Sequence, residues 1–265
     1  MNSVLAAYVA AAIGVPVIFF LLRKCFPSLT VHELPSRSLD DLKKEFFKWD
    51  LFYFACFISL AGATGYIWWV VFSKIEPLNA ARFREATICV SAAGYVWSFP
   101  AMVAGMGSGG FLADQLFKII LKNRYSEYTF YQSAKYKINV AKLGIPAYIV
   151  TVAATLIMVL MISNWYTLFS ADHVTVKRLF AVSEDKLMYS DVSHIITAPS
   201  FIAPNGKVVS RREYVIRFAT GKSWTTNLAP TDLTLGQKLH IAQFVSRMSG
   251  VPITEVKMLE KDEVY

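Results

Sequence analysis

Among the chain's chemistry-bearing residue patterns, Gly105-Met106-Gly107-Ser108-Gly109-Gly110 is the one that matches a binding fingerprint in letters. Glycines at 105, 107 and 110 have the spacing of a loop that brings a dinucleotide pyrophosphate onto backbone N–H groups at a helix start. That chemistry needs a strand before the glycines and a βαβ unit around them. Here they close an apolar stretch, where small residues let helices approach closely or break one of them. Gly105, Gly107, Gly109 and Gly110 are therefore read as a packing or hinge element. Asp114 lies just beyond, and its type and place fit an interfacial helix carboxylate better than an ion ligand. Asp191 and His194, with Ser190 or Ser193, have the residue types of a nucleophilic set, but a three-residue step on a strand sends the first two to opposite faces. His32, His173, His194 and His240 fall in different segments without an i, i+4 pair, so no zinc site is expected. Cys25, Cys56 and Cys89 all fall in the expected membrane part, where an unpaired cysteine packs as a small apolar residue. No catalytic constellation, metal site or cofactor is expected, and the chain is read as non-enzymatic.

The elements that would position these residues follow from composition. Hydrophobic residues make up 55% of the chain and charged residues 17%, more apolar than a soluble domain of this length usually is. The excess gathers in four blocks, about 4–22, 51–73, 86–105 and 143–168. Each has the roughly 20 residues that a helix needs to cross a bilayer. Arg23-Lys24 stop the first, Trp49 and Trp68-Trp69 border the second, and Asn164-Trp165-Tyr166 border the fourth. Pro100 predicts a kink near the end of the third span. The fold class expected is a membrane all-α bundle of about four transmembrane helices, residues 1–170, followed by a water-facing α+β domain, residues 171–265.

The net charge of +8 comes mainly from bases beside the apolar blocks, the ordinary membrane pattern, and not from a patch suited to nucleic acid. The first and third connections are richer in Lys and Arg than the second, which places them in the cytoplasm and both termini outside the cell (inner) membrane. Ser38 and Asp41 have capping-box spacing and predict a short amphipathic helix on the membrane surface. The third connection interleaves aromatic residues with bases, including Lys135 and Lys137, as a lipid-facing or docking surface does.

In the last third, Leu179-Phe180-Ala181-Val182 and 192–197 read as strands. Residues 214–219 and 222–225 alternate around Thr220-Gly221 as a hairpin. Thr234 and Gln237 have capping-box spacing before a helix whose expected inner face is Leu235, Leu239, Ala242, Val245 and Met248, ended by Gly250 and Pro252. An antiparallel sheet covered by that one helix is the expected domain. Residues 187–195, the 218–224 hairpin and the final helix together resemble the bacterial pleckstrin-homology-like domains attached to membrane spans. That resemblance implies a binding or assembly module, usually cytoplasmic, which is at odds with the charge-derived placement.

The expected role is a membrane-anchored interaction, sensing or assembly module. One concrete form is an immunity or exclusion protein acting on an incoming partner. Its expected partners are membrane lipids, a protein and further copies of itself, with Tyr214, Trp224, Lys135 and Lys137 as interaction candidates. The alternative is an oligomeric channel or transporter component, using Gly62, Gly65, Gly94, Ser59 and Ser91 as close-contact faces.

Overall fold

The computed structural model describes residues 20–27, 38–83 and 86–260. All but the last three residues of the expected first span, 4–22, lie outside them, as does His32. The chain forms two compact units: the described residues of Met1–Val71 and Ser98–Met158 are helical, and those of Phe72–Trp97 and Val159–Tyr265 carry the sheets. The sequence leads one to expect a single boundary at residue 170; the chain passes between the units three times, at 71/72, 97/98 and 158/159, because the stretch 72–97 between helices folds with the C-terminal part.

In the helical unit, α1 (Leu39–Ser73) is one continuous helix. The separate surface helix expected at its start is absorbed into it, since 42–51 contains neither proline nor glycine to break the backbone. Ser38 Oγ accepts from Asp41 N at 3.2 Å, and Asp40 and Asp41 favour the positive end of the helix dipole. After the short α2 (Ile75–Arg82) and strand β1 (Ile88–Ser91) comes α3 (Ser98–Leu121). A 3₁₀ turn (Lys122–Arg124), α4 (Tyr125–Tyr136) and α5 (Val140–Ser163) follow. Lys137 ends α4 in the left-handed conformation, φ 57°, and Asn139 Oδ1 then accepts from Lys142 N at 3.1 Å to start α5.

Among the described residues two helices, α1 and α5, are long and apolar enough to cross a membrane. The four-helix expectation is corrected at its third member. Residues 88–91 are strand, and helix begins only at Ser98, which puts Pro100 in the first turn, where a missing N–H costs no hydrogen bond. The expected kink has no cause there. The four glycines lie inside α3 and not at the end of a span. With them, and with Asp114 and Lys118, α3 matches α5 in length but is less apolar.

The sheet unit holds β2 (Tyr166–Phe169), β3 (His173–Lys177), β4 (Asp185–Met188), β5 (Val192–Ala198), β6 (Phe201–Ile202), β7 (Val208–Val209), β8 (Glu213–Phe218) and β9 (Ser223–Thr225). The helix α6 (Leu235–Ser249) and β10 (Ile253–Glu255) complete it. One sheet is an antiparallel array ordered β1-β2-β3-β4, and the second runs β10-β5-β8-β9 with β10 parallel to β5. Strand β1 is supplied from between the helices and pairs with β2, Ile88 opposite Phe169. A single core takes Phe169, Leu187, Ile195, Ile216, Trp224 and Val245 from both sheets and α6.

The β8–β9 hairpin turns at Gly221, whose φ of 79° is the conformation glycine allows without steric cost. The capping box at Thr234 and Gln237 is complete in both directions. Two expectations are corrected. Residues 179–182 are a loop between β3 and β4, not a strand. The buried face of α6 is Lys238, Ile241, Ala242 and Val245, while Leu235, Leu239 and Met248 are exposed. A hydrophobicity count cannot select a face that is centred on a lysine.

Candidate interaction site in the helical unit

Side chains 128, 131, 132 and 135 lie on one stripe of α4, at steps i, i+3, i+4 and i+7. All four meet the Asp50 carboxylate of α1. Oδ1 accepts from Tyr128 Oη at 3.2 Å and from Gln132 Nε2; Oδ2 accepts from Tyr131 Oη at 3.1 Å and from Lys135 Nζ at 2.7 Å. A carboxylate that is only 16% exposed is thereby compensated by one ammonium and three neutral donors. Beneath it, Phe46 packs on Tyr128 edge-on at 5.4 Å and on Tyr131 at 5.8 Å, with Leu42, Phe117 and Leu121 closing the cluster. Nearby, Arg124 pairs with Glu45 and lies 5.4 Å from the Phe46 ring.

A second carboxylate, Asp114 of α3, accepts from Tyr125 Oη and pairs with Lys118 at 2.8 Å. Burial, then the Asp114 hydrogen bond and charge, push the Tyr125 hydroxyl well above the usual phenol range. Burial and the charge of Asp50 do the same for Tyr128. Both phenols stay protonated donors at physiological pH. For Lys135, burial disfavours the ammonium, but the hydrogen bond and charge of Asp50 outweigh it, so its pKa is raised.

Asp50, Asp114, Tyr125, Tyr128 and Gln132 line a cavity of about 410 Å³ together with the apolar Leu22, Phe54, Ile138, Val140 and Leu143. No Ser, Cys or His is among its described lining residues. The arrangement can hold a molecule that offers donors at one end and apolar surface at the other, but it contains no activated nucleophile.

The glycines set the approach of the helices. A Cβ on Gly105 would lie 2.6 Å from the Cα of Gly65, one on Gly109 would collide with the Ala61 backbone, and one on Gly107 would lie 2.6 Å from Thr151 Cγ2 of α5. Gly110 faces Phe57 with ordinary room. Thr64 Oγ1 donates to the Gly105 carbonyl at 3.1 Å across this seam. Residues 105 and 109 with 61 and 65 form two small-xxx-small pairs, which bring α1 and α3 backbones together.

The interaction candidates separate. Lys135 belongs to the Asp50 cluster, and Lys137 is the left-handed cap of α4. Tyr214 and Trp224 are core residues, 3% and 4% exposed. Trp224 Nε1 donates to Thr167 Oγ1 at 3.1 Å and its ring meets Phe169 edge-on. Among the described residues Asp191 and His194 share no hydrogen bond: Ser190 donates to Asp191, and Ser193 donates to the Arg217 carbonyl. Likewise, among the described residues no cluster of three His, Cys, Asp or Glu side chains could hold a metal. Cys89, expected in the membrane part, lies on β1 in the sheet unit, where burial pushes its thiol pKa up.

The sequence reading missed two carboxylates. For Asp50 the one sequence signal is the α4 stripe of donors at 128, 131, 132 and 135, which calls for an acceptor without naming it. Glu213 had no sequence signal: fully buried, it meets Lys238 Nζ at 2.8 Å, Arg211 Nε at 2.7 Å and the Thr226 hydroxyl, so it ties β8 to α6. No protein-family model, curated protein or solved structure matches this chain.

Proposed function

We propose that the chain is a multi-pass protein of the cell (inner) membrane that acts as a non-enzymatic interaction and assembly module, with α1, α3 and α5 as its crossing helices. The observation that carries this reading is continuity: α5 ends at Ser163 and β2 starts at Tyr166, so an apolar helix enters a folded sheet unit across two residues. A linker that short suits a domain kept at the bilayer, not one sent out on a tether. The pleckstrin-homology-like reading is supported by the order of elements after α5: antiparallel strands β2 to β4, then β5 to β9, then a covering helix, while β1 from between the helices and β10 after α6 add to it.

The contacts Arg124–Glu45 and Lys135–Asp50 bring the start of α1 and α4 to one basic end, together with Lys43, Lys44, Lys48, Lys122 and Lys142. By the positive-inside rule that end faces the cytoplasm, and the sheet unit, attached beyond Ser73 and Ser163, faces outward. The Asp50 cavity, on the cytoplasmic side, is the docking site for a lipid or protein partner. Fusions after Tyr265 to a reporter active only outside, and to one active only in the cytoplasm, test the orientation. Photo-crosslinking in intact cells from position 47, where Phe47 is 58% exposed, tests the role. The expected result is an active outside reporter and a discrete crosslinked partner that competes with Asp50→Ala. A chain that crosslinks to nothing and turns over a substrate when purified overturns the reading.

A further inference from the structure

In the sheet unit the most exposed large apolar side chains are Phe180 and Val182, at 82% and 99%. Both lie in the loop between β3 and β4, where Ala181 N donates to the Arg178 carbonyl at 3.0 Å and closes a turn. Turn corners ordinarily carry Gly, Pro, Asn, Asp or Ser, because they face water. This one carries Leu179 and Phe180; Lys177 and Arg178 precede them, and Glu184, Asp185 and Lys186 follow Val182 and Ser183, with Lys177 Nζ 3.8 Å from Glu184 and Lys222 paired with Asp185. Nothing in the core depends on Phe180.

Its neighbourhood identifies the solvent. Phe180, Leu179 and Arg178 line an open depression of about 380 Å³ together with Trp165. Trp165 is the second residue after the end of α5, a 24-residue helix that rises about 36 Å at 1.5 Å per residue, enough for a hydrocarbon layer of about 30 Å. A tryptophan there sits at headgroup level. The loop that shares its depression is at the same depth within this unit, with apolar tips that suit the acyl boundary and Arg178, in the lining of the depression, as a base that suits a phosphate.

We infer that the β3–β4 loop is a lipid-dipping element, in which Phe180 and Val182 enter the bilayer interface beside the end of α5. This rests on α5 crossing the membrane, and the test separates the two. The full chain is reconstituted in phosphatidylcholine nanodiscs with trifluoromethyl-phenylalanine placed, one site at a time, at 149, 180, 182 or 208. Ile149 is an exposed residue of α5, and Val208 is an exposed residue of β7. Doxyl-chain lipid is then added. The expected result is loss of the fluorine signal at 149, 180 and 182 and its survival at 208; Phe180→Asp, which removes no core contact, restores the signal at 182. Loss at 149 with survival at 180 overturns the loop inference and leaves the span standing. Survival at 149 overturns the span and the inference with it. Equal loss at 208 overturns it as well, because the whole unit would then lie on lipid.

Discussion

The helical unit makes its closest contacts by omitting side chains, and the sheet unit makes its own by filling space with large ones. Between α1 and α3 the backbone meets at Gly65, Gly105 and Gly109, and at Gly105 and Gly109 there is no room for a methyl group. Between the sheets and α6, Phe169, Tyr189, Trp224 and Ile241 interdigitate. With α1 and α3 proposed to lie in lipid, the difference is one of solvent. Lipid tails are as apolar as leucine, so helices in a bilayer gain little by burying large side chains and associate through close packing and polar contacts across the seam. Water rewards burial of apolar area directly, and the sheet unit uses aromatic bulk for that. Each unit also holds a compensated carboxylate against a helix, and the two differ: Asp50 lines a cavity, whereas Glu213 is sealed.

The largest effect should break the contrast at the glycine seam. Gly109→Leu forces α1 and α3 apart at a cost of at least about 3 kcal/mol, the upper range for overpacking, and no monodisperse protein should be recovered in detergent. Gly62→Leu, where a Cβ meets nothing within 4 Å, should leave the elution profile unchanged. Equal loss from both would mean that the seam is not what packs the helices.

Next is the sealed carboxylate. Glu213→Ala strands the Lys238 ammonium, 6% exposed, and should cost about 3–5 kcal/mol in thermal unfolding. Glu213→Leu with Lys238→Met should recover most of it, since an apolar pair carries no desolvation cost. Asp50→Ala leaves its donors facing a cavity, where water can reach them, and should cost less, about 1–3 kcal/mol. For pH, the sign follows from Lys135, whose folded pKa is raised. Its contribution is complete below the unfolded lysine value and is lost as pH rises through the higher folded one. Stability from the Lys135–Asp50 pair should therefore be flat across neutral pH in a denaturant titration; a fall between about pH 6 and 8 would refute it, since an ordinary lysine titrates near 10.4.

The smallest effects concern helix ends. Thr234→Ala removes the side-chain half of the α6 capping box, the hydroxyl that accepts from Gln237 N, and should lower stability by about 1 kcal/mol. Lys137→Gly relieves a left-handed non-glycine residue and should raise it by about 1 kcal/mol.

Local chemistry carried much of this fold. Thr234 with Gln237, Gly221 and Gly250 mark a helix start, a hairpin turn and a helix end by rules that span a few residues, and each element forms where those rules put it. The apolar runs of α1 and α5 were equally legible, because twenty lipid-compatible residues are a length signal. The third block failed for the same reason: its apolar content was counted across 86–97 and into α3, and hydropathy cannot tell a buried strand from the start of a span. Lys238 misled in the opposite direction, since a lysine is assigned to water unless its partner is known.

By itself the sequence determined the class of this protein, apolar helices joined to a folded α+β region, together with the caps and turns that punctuate it. Only tertiary structure decided that 88–91 completes a sheet with 166–169, that Asp50 gathers four side chains of α4, and that Glu213 and Lys238 meet in the core. Caps, turns and spans are local in the chain, whereas a paired strand or a compensated buried charge depends on partners tens of residues away, and no window of sequence contains both.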